Sequence, residues 1–252
     1  MQTKAFFKLK QRVVSYSTDM ELCELLVGQF MGMPDFKETI VGSLGAAPND
    51  FPNLGRLRNL PQSRKAHGNH LVRTLRIAFI KELYEDFEIY LATIMTNAAS
   101  KGINPHRFVG EAKVVLKASE MLSAKGWDGV VRMVTDEIFR GLVNERNTRT
   151  LIKKVNNSLG LEIQETTLNS AMPYLDARHI FVHRDGTPDK EYREQYPEIA
   201  VKKKVIHIDS DFVADAREAI VELACEIDKQ VIHADLVQIK DMHLEKASED
   251  VS

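Results

Sequence analysis

The chain of 252 residues is predicted to fold as an all-α helical bundle. Three observations predict it. Between Asn69 and Ala99, the residues Val72, Leu75, Phe79, Leu83, Phe87, Tyr90 and Ile94 recur at intervals of three or four, which lines one face of a long helix. Helix punctuation recurs downstream, with Asn104-Pro105 as a start signal and Gly160 where a left-handed cap belongs. Alternation with period two, the mark of a half-buried strand, is almost absent.

The elements follow in order. A short helix is expected near residues 18–30. Residues 32–62, rich in Gly, Pro and Asn, read as irregular linking structure. The long helix comes next, preceded by the loop-like His67-Gly68-Asn69-His70. Beyond Asn104-Pro105 a helix is expected from Val109 to Leu122, then a break at Gly126-Trp127-Asp128-Gly129 with Trp127 as a packing anchor. Helices over Val130 to Val143 and Thr148 to Leu159 follow. Thr166 or Thr167 opens the next, in which Pro173 is a kink or a restart. Residues 184–209 read as a polar loop holding a short strand near Val205-Ile206-His207-Ile208. Ser210 is the expected cap of a last helix, with Val213, Ile220, Leu223, Ile227 and Val231 as its buried stripe. The chain thus divides into a helix with irregular linker (1–62), a bundle (63–235) and an acidic tail (236–252).

Hydrophobic content of 44% and charged content of 28% are those of an ordinary soluble protein. No apolar run approaches bilayer length, and the first residues lack the pattern of a secretory signal, so a cytoplasmic protein without membrane contact is expected. Cys23 and Cys225 sit in apolar helical patterns, which predicts core packing rather than a disulfide framework or zinc. The formal charge is only −2, but it is unevenly spread. No acid lies between Asp50 and Glu82, while Arg56, Arg58, Arg64, Lys65, Arg73, Arg76 and Lys81 all do. Such a block suits phosphates of a nucleic acid, and equally a solvated basic face. Of Glu82, Glu85, Asp86 and Glu88 most form the wet face of the long helix; the spacing does not select one that approaches a site.

The stretch with the most chemistry is Arg178-His179-Ile180-Phe181-Val182-His183, followed by the turn signal Arg184-Asp185-Gly186. It joins a permanent anion binder to a group that titrates near neutral pH, the minimum for cleaving a phosphodiester. Helical residues turn by about 100° each, so Arg178 and His183 lie about 140° apart on an ideal helix. They converge on one phosphate only if the helix end is distorted or if two chains share a cleft. Two other readings compete. An Arg and a His at a helix end also complement the helix dipole. His179 and His183, four apart, share a face as two ligands of one metal ion would, with Asp176 or Asp185 nearby as a third.

The Arg-x4-His spacing, the polar residue after the Arg, the Asp-Gly turn after the His and the late position in an all-α chain resemble the HEPN superfamily. The Leu159-Gly160-Leu161 helix end before the motif resembles its stand-alone prokaryotic nuclease branch. The resemblance covers 69–235 in architecture and 178–186 in motif. It implies a metal-independent endoribonuclease without cofactors, working as a homodimer with a composite active site, in a toxin or phage-defence setting that brings an antitoxin or regulatory partner. On this chain it makes His183 the general acid/base and Arg178 the group that holds the phosphate oxygens. His179 stands where Asn is the family's more familiar residue, as an orienting group or second proton carrier. Arg56, Arg58, Arg64, Lys65, Arg73 and Arg76 would bind RNA. The rival reading is a HEPN-like bundle without catalysis, serving RNA binding or protein docking.

Overall fold

The computed structural model describes residues 1–34, 39–101, 115–124 and 148–244, with single positions between 126 and 137. The protein is all-α. In chain order it contains β1 (Gln2–Thr3), α1 (Lys4–Met31), α2 (Ile40–Ser43), α3 (Pro61–Ser100), α4 (Ala118–Ser123), α5 (Thr148–Leu159), α6 (Glu165–His183), α7 (Lys190–Gln195), β2 (Val201–Lys202), β3 (Val205–Ile206), α8 (Ser210–His233) and β4 (Met242–His243). No helix among the described residues is long and apolar enough to cross a membrane.

Helix α3 is the axis of the bundle. Its forty residues span about 60 Å at 1.5 Å each. Phe79, Leu83, Phe87, Tyr90 and Ile94 of the expected stripe are all buried, and Leu91, Met95 and Ala98 join them. The helix begins at Pro61, not at Asn69. Proline suits a first helical position because its missing N–H would be unpaired there anyway. Gly68 looks like a loop residue in the sequence but lies inside the helix, where α1 crosses closely. A Cβ on Gly68 would sit 2.9 Å from Cγ1 of Val27.

Helix α1 is also longer than expected, covering 4–31 instead of 18–30. Its buried stripe is thin (Phe6, Leu9, Val13, Val27), so local periodicity hides it among polar residues. Thr3 defines its start, since its side-chain oxygen accepts from the Phe6 N–H. Phe6, Leu9 and Val13 share one core with α3, α5, α6 and α8, and so do Leu236, Val237 and Met242 near the other end. The two ends meet directly: β1 pairs antiparallel with β4, placing Gln2 opposite His243 and Thr3 opposite Met242.

Asp228 of α8 locks this junction. Its carboxylate accepts from the Thr3 N–H at 3.0 Å and from the Thr3 hydroxyl at 2.5 Å, and the residue is 2% exposed. Tyr90 of α3 donates its hydroxyl to the Ala224 carbonyl on the same helix. On α8 the expected stripe of Val213, Ile220, Leu223, Ile227 and Val231 is buried throughout, but the capping residue is Asp209, not Ser210, accepting from the Phe212 N–H.

The region 184–209 carries more structure than a polar loop. Asp189 caps α7, and two tyrosines on that turn are buried. The Tyr192 hydroxyl donates to the Pro173 carbonyl at 2.8 Å and the Tyr196 hydroxyl to Asp176 Oδ2 at 2.6 Å. These bonds strap α7 across α6 at its proline, which lies inside one continuous helix. The β2–β3 hairpin pairs Val201 with Ile206 and Lys202 with Val205. Helix α5 ends as expected at Gly160, with φ +65°. Trp127 is 70% exposed and is not a packing anchor. Cys23 and Cys225 are half-buried and unpaired. The expected helices over 109–122 and 130–143 lie largely outside the described residues, as does the tail from 245.

Burial sets a pH dependence. Asp86, Asp176 and Asp228 all have carboxyls raised above the ordinary range, each chiefly by burial. A raised folded pKa means that the folded state holds the proton more tightly than the unfolded chain. Stability therefore increases as pH falls from neutral through the folded values. Asp189 and Asp209 are lowered, first by the backbone N–H groups they cap, so their contribution is lost only below the ordinary carboxylate range. The thermal midpoint is expected to be higher in mildly acidic buffer than near neutrality, less the opposing contribution of His179, whose imidazole burial holds below its ordinary value. A midpoint that falls steadily across that interval contradicts this assignment.

Candidate functional site

Helix α6 carries the Arg178 to His183 motif to its last turn. Leu175, Ala177, Ile180 and Phe181 are buried and fix its inner face. The helix remains continuous through His183, and Arg184 closes it by donating its N–H to the Ile180 carbonyl. A distorted helix end does not bring Arg178 and His183 together within the chain. The two residues instead enter different surroundings.

Arg178 turns inward. It is half-buried, with its guanidinium carbon 4.8 Å from the ring centre of Tyr84 on α3. Its Nε is buried without a hydrogen-bond partner among the described residues. Glu88 lies one helical turn beyond Tyr84 on α3, within reach of the Arg178 charge. Burial raises the Glu88 carboxyl, opposed by hydrogen bonding from Tyr84 and by the positive charge of Arg178. The Tyr84 hydroxyl is pushed up to about 12, mainly by burial. Thr148, the first residue of α5, opposes that rise.

His179 and His183 turn outward, both exposed, one above the other on the helix. Their ring centres are 4.6 Å apart with the planes at 50°. His179 is lowered from its ordinary pKa, first by burial, then by the positive charges of His183, Arg184 and Arg178. Among the described residues no group of three or more His, Cys, Asp or Glu is arranged to hold a metal ion. The two histidines therefore form a pair without a third ligand from Asp176 or Asp185. Asp176 is engaged by Tyr196 instead.

The turn after His183 is tightly specified. Asp185 and Gly186 both have left-handed backbones, at φ +50° and +81°. The Gly186 N–H donates to the Ile180 carbonyl, and its own carbonyl accepts from Ile206 of the hairpin. Arg184 folds over the turn to Asp189 at 2.6 Å. A Cβ on Gly186 would lie 3.2 Å from Nη2 of Arg73 and 3.5 Å from the Phe181 ring. Gly186→Ala is expected to cost about 1–2 kcal/mol through the positive φ and this contact, read by chemical denaturation. An unchanged midpoint contradicts the tight turn.

The basic block does not form one surface. Arg64 is 3% exposed and donates to Asn59 Oδ1 at 2.6 Å, so it is a buried structural residue. Arg76 is half-buried, ion-paired to Glu24 at 2.6 Å and bonded to the Ile208 carbonyl. Arg56, Arg58 and Lys65 are exposed around the start of α3, with Arg56 reaching Asn53 Oδ1. Only Arg73 among the six is shown beside the motif, through its approach to Gly186. The sequence reading missed Tyr84, Thr148 and Asp189. Tyr84 and Glu88 carry a signal in retrospect, being four apart on a helix face, but Asp86 carries a similar one and turns the other way, to Arg12 at 3.1 Å.

Comparison with protein-family models, with curated proteins and with solved structures returns no match for this chain.

Proposed function

We propose that the protein is a metal-independent endoribonuclease of the HEPN type, with the end of α6 as its active site. The observation that carries the reading is the exposed His179–His183 pair, with ring centres 4.6 Å apart, felt by the positive charges of Arg184 and Arg178. RNA supplies its own nucleophile. The 2′-hydroxyl loses its proton to an imidazole and its oxygen bonds to phosphorus. The bond to the 5′-oxygen breaks, and the second imidazole protonates that leaving oxygen. The products are a 2′,3′-cyclic phosphate and a 5′-hydroxyl.

His179 suits the base, because its lowered pKa keeps it neutral at neutral pH. His183, at the helix end, is then the acid. Arg178 and Arg73 supply positive charge for the phosphate oxygens as charge builds in the transition state. Arg178 and His183 lie on different faces of one helix, so the reading calls for a homodimer in which the second copy completes the cleft. Toxin or phage-defence action, with an antitoxin or other regulatory partner, belongs to the same proposal.

A second reading rests on Arg178 itself. Its stacking on Tyr84 beside Glu88 also suits a purely structural tie between α6 and α3, as in a non-catalytic module for RNA binding or protein docking. RNA incubated with the protein in chelator separates the two. The nuclease reading expects cleavage with cyclic-phosphate ends. Cleavage only after divalent metal is added, or none at any concentration, overturns it.

A further inference from the structure

Arg178 turns onto Tyr84, so the guanidinium that stands outward beside the histidine pair is a different one. Arg184 follows His183 directly, and its side chain is 45% exposed. It reaches Asp189 through one nitrogen, with Nη1 2.6 Å from Oδ2. Arg193 of α7 is also exposed and donates its Nε to the Asp189 carbonyl at 3.1 Å. One residue thus anchors two arginines through separate atoms. Neither guanidinium makes a further hydrogen bond among the described residues, so most of its five N–H groups face water. The bond to Asp189 sets where the Arg184 fork lies and leaves the rest of the fork open.

The charges that reach the pair agree with this placement. On His179 the positive charge of Arg184 acts more strongly than that of Arg178, and Asp189 is the carboxylate that opposes them. Of the other acids between 184 and 195, Glu194 pairs with Lys190 at 3.5 Å and Glu191 is felt at Asp176. That leaves Asp185 alone on a surface of guanidinium and imidazole donors. His179 and His183, with ring centres 4.6 Å apart, are close enough to turn an N–H each to one ligand. Two imidazoles from α6 and a guanidinium fork from the turn beyond it suit an oxyanion with several acceptors. A metal ion would meet a third donor that carries positive charge, and it is disfavoured.

We infer that Arg184, anchored by Asp189 and backed by Arg193, is a phosphate-binding residue that works with His179 and His183 of its own chain. The ligand is a phosphate group of RNA, an identity that rests on the nuclease reading. Arg184 grips the non-bridging oxygens while the imidazoles handle the two protons. Asp189 touches no substrate and is a positioning residue.

The test uses the full chain, with inorganic phosphate as the first probe because it reports the grip without cleavage. Proton resonances of the two imidazoles are assigned from His179→Gln and His183→Gln. At about pH 6 they are expected to shift saturably with phosphate, and not with acetate at equal ionic strength. Arg184→Gln and Asp189→Ser are each expected to weaken phosphate binding by about tenfold. Serine still caps α7 but is too short to hold Arg184, so thermal melts should stay unchanged. Arg184→Lys is expected to recover only part of the affinity. Arg217→Gln removes the same charge on α8, where Arg217 meets Ser17, and should leave phosphate binding as it was. With RNA, Arg184→Gln is expected to raise KM by about tenfold. Phosphate binding that ignores both Arg184→Gln and Asp189→Ser overturns the inference, as does an equal loss in Arg217→Gln. Cleavage of RNA with an unchanged KM in Arg184→Gln overturns it too. Phosphate binding through Arg184 without any RNA cleavage supports the site and removes the nuclease reading alone.

Discussion

His183→Ala is expected to lower RNA cleavage by about 10²–10⁴-fold, the usual contribution of a positioned acid/base. The substitution falls at an exposed position, so thermal stability should barely change. That combination separates a chemical role from a structural one. His179→Ala should lower the rate too, and it carries a distinct signature. Because His179 is held below the ordinary imidazole range, its neutral form persists to lower pH. The acid limb of the kcat/KM profile should therefore lie below that of free imidazole and move when His179 is replaced. Arg178→Ala is less clean, because the guanidinium also packs on Tyr84. Its loss should reduce both rate and stability, and Arg178→Lys should restore more stability than rate, since the lysine stem still packs against Tyr84 while its ammonium lacks the fork that grips phosphate. Cleavage that survives His183→Ala would end the proposed mechanism.

Asp228→Ala is expected to destabilise the protein by about 2–3 kcal/mol, measured by urea denaturation. Two effects oppose each other. Removing the carboxyl relieves a buried acid whose pKa burial has raised. It also leaves the Thr3 N–H, buried at 0% exposure, without its acceptor. An orphaned buried donor costs about 1–3 kcal/mol, and a hydrogen bond to a charged group is worth about 1.5–3 kcal/mol. Two such bonds outweigh the relief. The Thr3 hydroxyl, released from Asp228, also becomes a looser cap for α1. Asp228→Asn keeps one acceptor and should cost about half as much. An alanine variant as stable as the native protein would show that the tie between chain ends contributes nothing.

The helices were legible where the pattern is local and dense. The Phe79 to Ile94 stripe, the α8 stripe and the Gly160 cap all appear as read, because a periodic apolar face and a left-handed cap are properties of consecutive residues. The first half of α1 was not legible. Only Phe6, Leu9 and Val13 are buried there, a stripe too thin to distinguish from a polar segment until α3 covers it. Helix α7 was hidden for a related reason: its six residues read as polar, and its order comes from Tyr192 and Tyr196 reaching α6.

At the site, the sequence by itself determined that an arginine and two histidines end a late bundle helix, and that a tight Asp-Gly turn follows them. Helical spacing also determined that His179 and His183 share a face, since residues four apart do. Only the tertiary structure decided the rest. It turned Arg178 onto Tyr84 and Glu88, sent Asp86 to Arg12, and engaged Arg64 and Arg76 in internal bonds, leaving Arg73 beside the motif. The physical reason is that a charge's role depends on which distant group faces it and how much water is left between them. Local sequence sets the direction of a side chain around its own helix, but the packing of helices far apart in the chain sets what it meets.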